Sequence, residues 1–127
     1  MNLNSGDCVQ YLDTYALVEI AKGNKNYEKV LEYPFALCEL ILAEFYFIML
    51  RDTSDAEADF WLKKYLPFAE KSEFSTILEA VKFRSKNLNK NISYFDSFGY
   101  IHAIQKGGSF VTGDKAFERL PHVKYIK

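Results

Sequence analysis

Three aspartates and one glutamate occupy settings in which carboxylates can do chemistry. Asp13 follows the strand-like run Val9-Gln10-Tyr11-Leu12, and Asp114 follows Phe110-Val111-Thr112-Gly113. Asp96 lies in Ser93-Tyr94-Phe95-Asp96-Ser97-Phe98-Gly99-Tyr100, where the pattern predicts the first turn of a helix. All three sit at switches between element types, and open α/β sheets hold ligands just outside the carboxyl ends of their strands. Glu44 interrupts Leu40-Ile41-Leu42-Ala43-Glu44-Phe45-Tyr46-Phe47-Ile48-Met49-Leu50, a stretch otherwise almost wholly apolar that reads as a helix buried on most sides. A carboxylate there is costly unless paired, protonated or bound to a cation. Acids so far apart in sequence, yet alike in setting, point to one oxygen-rich cation site. With no histidine or cysteine among them, the set suits magnesium or manganese rather than zinc. Repulsion among the four raises some of their pKa values when no metal is bound, and the helix dipole favours Asp96 as an anion. One or two such ions activate water, neutralise phosphate and support a departing oxygen, which is the chemistry of phosphodiester hydrolysis. Thr112 and Thr14 stand beside these acids; their hydroxyls either serve the site or are structural.

Other constellations carry less. His102 and His122 are too few and too separated for a histidine site and read as surface or packing residues. No nucleophile stands in a recognisable elbow, and the glycines form no phosphate-cradling loop. Tyr94, Phe95, Phe98 and Tyr100 read as packing residues, with base stacking as the alternative. Basic residues gather at Lys82, Arg84, Lys86 and Lys90, and again at Lys106, Lys115 and Arg119. Both groups read as solvated faces, with a phosphate backbone as the alternative. The formal net charge of −1 argues against a general nucleic-acid coating protein. It does not exclude a nuclease, whose cations would sit locally in an acidic pocket.

The elements that must position the acids alternate along the chain. A strand is expected at about 8–13, a helix at 15–22 ended by Gly23, and a helical piece near 26–32. A buried strand at Phe35-Ala36-Leu37-Cys38 precedes the apolar helix. Ser54-Asp55-Ala56-Glu57 has the capping-box pattern and opens a helix that ends before Pro67. Leu66–Ala69 reads as a third short strand. A long helix from about Glu73 to Leu88 presents Phe74, Ile77, Leu78, Val81 and Leu88 at helical spacing. The helix holding Asp96 runs to about Lys106, where Gly107-Gly108 stops it. Ser109–Thr112 is the next strand, and Val123–Ile126 a closing edge strand. Such alternation implies a mainly parallel sheet covered on both faces.

At 127 residues the chain has room for one domain, spanning 1–127. The hydrophobic share of 49% excludes a disordered chain. No segment approaches the ~20 apolar residues of a membrane span, and the start does not read as a secretory signal, so a soluble, cytoplasmic protein is expected. Cys8 and Cys38 read as small buried hydrophobes.

Tyr11-Leu12-Asp13-Thr14-Tyr15-Ala16-Leu17, Leu42-Ala43-Glu44-Phe45, Asp96-Ser97-Phe98-Gly99-Tyr100 and Phe110-Val111-Thr112-Gly113-Asp114-Lys115-Ala116-Phe117 together resemble the PIN domain. The last two blocks look most like archaeal PIN proteins, many of them VapC-like toxins. The resemblance implies a three-layer α/β/α sandwich around a central parallel sheet. Its motif places Asp13, Glu44, Asp96 and Asp114 as metal-binding catalytic acids and Thr112 as the accompanying hydroxyl. It further implies a Mg2+- or Mn2+-dependent endoribonuclease, an RNA substrate, a homodimer and an antitoxin partner. A housekeeping RNA-processing nuclease and a non-catalytic binding module are the alternatives. Tyr15 departs from the asparagine or serine that many relatives carry there.

Overall fold

The computed structural model describes residues 8–127. Five parallel strands form the sheet: β1 (Gln10–Leu12), β2 (Phe35–Cys38), β3 (Ala69–Glu70), β4 (Ser109–Thr112) and β5 (Val123–Tyr125), in the order β3-β2-β1-β4-β5. Five α-helices connect or flank them: α1 (Thr14–Ala21), α2 (Glu39–Asp52), α3 (Asp55–Tyr65), α4 (Phe74–Ser85) and α5 (Tyr94–Gln105).

Strand alternation divides the core. Leu12, Leu37 and Val111 point to one face and pack with Ala16 and Leu17 of α1, Ile41, Phe45 and Met49 of α2, and Tyr65 of α3. Their sequence neighbours Tyr11, Ala36 and Phe110 point to the other face, against Tyr100 and Ala103 of α5 and against Phe117. The helices therefore cover both faces in an α/β/α sandwich. Because the central strands are buried on both sides, they read in sequence as apolar runs without alternation. Tyr100, Phe110 and Phe117 meet with ring centroids 5.2–5.6 Å apart, in the tilted and edge-on arrangements that aromatic quadrupoles favour.

A polar chain crosses the second layer. His102 is 2% exposed; its Nε2 lies 3.0 Å from Glu70 Oε1 and its Nδ1 lies 2.8 Å from Ser72 Oγ. A carboxylate only accepts, so Nε2 carries a proton toward Glu70, while Nδ1 and the Ser72 hydroxyl share the second hydrogen bond. Tyr11 also donates to Glu70, at 3.1 Å, and Ser72 lies 3.1 Å from Cys38 Sγ. The packing role expected of His102 is thus a hydrogen-bonded one that ties α5 to β3, whereas His122 is exposed at φ 62°.

Several expectations need correction. The third strand is two residues, Ala69–Glu70; Leu66–Phe68, containing Pro67, forms a 3-10 turn, in keeping with a residue that lacks the N–H a ladder requires. Helix α2 is not buried on most sides, since Phe47 is 58% and Leu50 37% exposed and Glu44 is half-buried. Helix α4 turns Phe74, Leu78 and Val81 outward and packs Thr76 and Ala80 inward. Helical spacing identifies an apolar stripe but not what covers it. Leu88 lies beyond the helix in a 3-10 turn and is exposed. Cys8 is exposed, at the start of the described residues, whereas Cys38 is buried as expected. Tyr100 is fully packed, but Tyr94 and Phe95 are exposed. The Ser54 cap forms, with its Oγ accepting from Glu57 N–H at 3.1 Å, while the Glu57 carboxylate receives Trp61 Nε1–H at 3.2 Å rather than closing a box.

Gly99 marks the tightest crossing of α5 with its neighbours: a Cβ there would stand 2.9 Å from Ile41 Cδ1 and 3.0 Å from Phe110 Cε1. An ordinary mid-helix Gly→Ala change stabilises by up to about 1 kcal/mol. Here overpacking opposes that gain, and Gly99→Ala is expected to lower stability by about 1–3 kcal/mol, read as a lower urea midpoint at unchanged m-value. A raised midpoint would mean that Ile41 yields without cost.

Candidate active site

Three of the four acids are fixed by the helical turns they begin. Asp13 leaves β1 as the N-cap of α1: its Oδ1 accepts from Ala16 N–H at 2.8 Å, and its own N–H donates to Val111 O at 3.1 Å. Asp114 leaves β4 as the N-cap of a 3-10 turn, with Oδ1 accepting from Ala116 N–H at 3.0 Å. Asp96 sits in the first turn of α5, and its N–H donates to the cap Ser93 Oγ at 3.1 Å. Helix N-termini favour negative charge, so the local fold that presents each aspartate also supports its ionised form. Glu44 comes instead from the middle of α2, where it accepts the Thr14 hydroxyl at 2.5 Å.

These four carboxylates line one open cleft of about 780 Å³ together with Thr14, Tyr15, Ser93 and Gly113. Thr112 does not line it. It is fully buried, and its Oγ1 accepts from Asp114 N–H at 3.0 Å, which places it as a support beneath the last aspartate. The rim carries Lys22, Arg51, Lys115 and Lys127. Lys22 lies 3.8 Å from Glu19, and Arg51 lies 2.7 Å from Asp52. Of the rim cations only Lys115 stood in a basic group of the sequence; Lys22, Arg51 and Lys127 did not, because solvated cations elsewhere look the same. Ser93 had a readable signal, a hydroxyl three residues before an acid at a helix start.

Tyr15 occupies the side of the cleft beside Gly113. A Cβ on Gly113 would lie 2.1 Å from Tyr15 Cε1 and 2.5 Å from Ile126 O, so the glycine between Thr112 and Asp114 is required by close approach. Lys127 Nζ lies 5.8 Å from the Tyr15 ring centroid.

Charge is stored in the cleft at a cost. Asp13 is 1% exposed, and burial pushes its pKa well above the carboxylate range; the charges of Asp96 and Asp114 add to the rise, while Thr112 and the Ala16 N–H oppose it. Asp96 is pushed up to about 6, first by burial and then by the charges of Glu44 and Asp114, against the stabilising Ser93 contacts. Mutual repulsion acts as expected, but desolvation is the larger cause at both positions. Asp13 Oδ2 is buried without a full hydrogen bond to any described residue, the nearby Thr112 hydroxyl notwithstanding. Among the described residues, no three His, Cys, Asp or Glu side chains are drawn together as a preformed ion cage. The acids are gathered around one cleft rather than clenched on one point. An all-oxygen set with an unpartnered buried carboxylate oxygen nevertheless fits a hard divalent cation, which would relieve both desolvation and repulsion.

The sign of the resulting pH dependence follows from the raised pKa of Asp96. Burial and repulsion favour the protonated form of Asp96 over the ionised one, so with metal chelated, stability is highest below pH 4 for this group and falls as pH rises through about 6. That rise corresponds to at most about 3 kcal/mol. Asp13 contributes in the same direction. In EDTA, Asp96→Asn is therefore expected to have a higher Tm than the parent at pH 7.5 and a flatter Tm profile between pH 4.5 and 7.5. Parallel profiles for the two proteins would show that Asp96 is not a source of the strain.

The PIN domain family model matches residues 10–123. No curated protein sequence matches the chain significantly. Among solved structures, the chain is similar to the VapC20 toxin of Mycobacterium tuberculosis, described as cleaving the sarcin–ricin loop, at a TM-score of 0.81 and 12% identity, over 93% of this chain and 99% of that one. It is similar to VapBC2 of Rickettsia felis, solved bound to a DNA fragment from its promoter, at a TM-score of 0.71 and 21% identity over 94% and 99% of the two chains. It is also similar to a toxin–antitoxin complex from Klebsiella pneumoniae, at a TM-score of 0.72 and 16% identity over 91% and 95%. With the family model spanning nearly all of the chain, and with the fold and acid-lined cleft described above, the chain belongs to the PIN domain family.

Proposed function

We propose that this protein is a divalent-metal-dependent endoribonuclease that hydrolyses RNA phosphodiester bonds, acting as the toxin of a VapBC-type toxin–antitoxin pair in the cytoplasm. The observation that carries the reading is the convergence of Asp13, Glu44, Asp96 and Asp114 from four separate places in the chain on one open cleft with a cationic rim. Toxin–antitoxin complexes among the similar structures support the biological setting. No helix among the described residues is long and apolar enough to cross a membrane.

The four acids would hold Mg2+ or Mn2+, which when bound supplies polarisation of water and compensation of phosphate charge. The chain's own groups do the remaining work. Thr14 holds Glu44 in one orientation, Thr112 holds the backbone of Asp114, and Ser93 caps the turn that presents Asp96. Lys22, Arg51 and Lys127 draw phosphate toward the acids, and the open cleft admits a polymer rather than enclosing a small molecule. Two exposed apolar surfaces suit the expected partners. The α4 stripe of Phe74, Leu78 and Val81, 71%, 47% and 38% exposed, is assigned to a homodimer contact. Phe47 and Leu50 on α2, with Phe60 on α3, are assigned to the antitoxin.

Incubation of a mixed RNA pool with Mn2+ is expected to yield cleavage that EDTA stops. Asp13→Asn and Asp96→Asn should each lower the rate by on the order of 10²–10³-fold with an unchanged circular dichroism spectrum. Undiminished metal-dependent cleavage by both purified variants would overturn the site assignment. Failure of a folded parent protein to bind Mn2+ by calorimetry would favour a non-catalytic module. For the dimer, Phe74→Lys with Leu78→Lys is expected to shift sedimentation to the monomer mass while leaving Tm within a few degrees; a parent that sediments as a monomer would remove that assignment.

A further inference from the structure

Next to the acidic cleft lies a second groove of about 280 Å³, lined by Lys90, Lys115, Ala116, Glu118, Arg119 and Leu120. Its residues were split in the sequence between two basic clusters that both read as solvated faces. The fold separates them differently. Lys90 leaves its own cluster and joins Lys115 and Arg119, whereas Lys106 lines a pocket beside His102.

The two grooves are built on the same two segments. The segment from the turn at Lys90 into the first turn of α5 supplies Lys90 to the second groove and Ser93 and Asp96 to the first. The segment after β4 supplies Gly113, Asp114 and Lys115 to the first and Lys115, Ala116, Glu118, Arg119 and Leu120 to the second. Lys115 lines both and is the point at which they adjoin. Asn91, at φ 57°, makes the left-handed turn that follows Lys90. Asparagine accommodates this region better than most residues, so the reversal is locally encoded.

The charges of this groove are also available. Among the described residues, none of Lys90, Lys115 and Arg119 lies within 4.0 Å of a carboxylate, unlike Lys22 and Arg51 on the other rim. Three cations face one acid, Glu118, with Ala116 and Leu120 as a small apolar wall. The volume lies just below the ~300–1,000 Å³ of small-molecule sites, which suits a single chain unit rather than a helix. A positively charged groove is the general means of tracking a single-stranded phosphate backbone, and without an aromatic platform among the described residues lining it, this one would hold phosphates rather than stack bases.

We propose that this groove is a subsite for single-stranded RNA: it holds the phosphates flanking the bond placed at the acidic cleft, with Lys90 and Arg119 as the binding residues and Lys115 at the junction. The assignment rests on the ribonuclease reading for which bond is cut, but its own test does not require cleavage.

Binding of a fluorescein-labelled mixed-sequence 12-nucleotide single-stranded RNA is measured by anisotropy in EDTA across a salt series. The proteins compared are the parent, Lys90→Gln with Arg119→Gln, and a charge-matched control, Lys82→Gln with Lys86→Gln at the C-terminal end of α4, outside the groove lining. All four side chains are exposed, so the fold is expected to persist, and an unchanged Tm checks it. Each phosphate contact to a single strand contributes about 0.7 to the slope of log K against log[salt]. The Lys90/Arg119 variant is therefore expected to lose about 1.4 from that slope, with the control unchanged. Equal slopes in parent and Lys90/Arg119 variant, or an equal loss in the control, would overturn the subsite. So would unchanged RNA binding combined with weakened binding of a poly-glutamate peptide, which would give the groove to an acidic polypeptide. Cleavage of the RNA pool by the parent with Mn2+ is scored separately. A lowered slope without any cleavage keeps the groove and removes the nuclease reading, whereas cleavage with an unaltered slope does the reverse.

Discussion

Asp13 is the group on which the site depends. It is almost wholly removed from water, one of its carboxylate oxygens is spent capping α1, and the other has no full partner. A fold does not keep such a group for stability, because the desolvation it imposes exceeds what one cap returns. Its neighbours increase the strain: Asp96 and Asp114 both raise the energy of its ionised form. Removing any one acid would relax the others, so stability alone would favour a less acidic cleft. The charge arrangement is one whose strain a bound cation would relieve.

The economy of the arrangement lies in where the acids begin. Asp13, Asp96 and Asp114 each stand at a helical N-terminus, where backbone N–H groups lack intrahelical partners. Capping orients the side chains of Asp13 and Asp114, the Ser93 cap fixes the turn that carries Asp96, and the same backbone dipoles moderate the charge that repulsion would otherwise expel. Glu44 has no such support and is held by the Thr14 hydroxyl, one residue from Asp13. The supports are thus as local as the acids. Thr14, Thr112 and Ser93 hold them from positions one to three residues away in the chain or across a single helix contact.

Close approach of backbone elements completes the site. Gly113 allows the Tyr15 ring and the chain near Ile126 to press against the β4 exit, and Gly99 lets α5 settle onto Ile41 and Phe110. The first contact shapes the wall of the cleft, and the second sets the depth of the helix that carries Asp96. The outer surface is less economical. Helices α2 and α4 leave large apolar side chains in water, in patches of the kind that mark interaction surfaces.

Much of this was legible in the chain. Short-range chemistry determined the alternation of elements, the Ser54 cap, the placement of three aspartates at strand exits or helix starts, and the resemblance that implied the fold. Such features depend on residues within one or two turns of each other, and local sequence contains those residues. The facing of α4, the half-exposure of Glu44 in α2, the union of Lys90 with Lys115 and Arg119, and the burial of Thr112 beneath rather than in the cleft were decided only by the tertiary structure. Each depends on which surface of an element another element covers, and hydrophobic spacing marks a stripe without naming its neighbour. The two-residue β3 belongs with them, because so short a strand owes its existence to the edge of β2 rather than to its own residues.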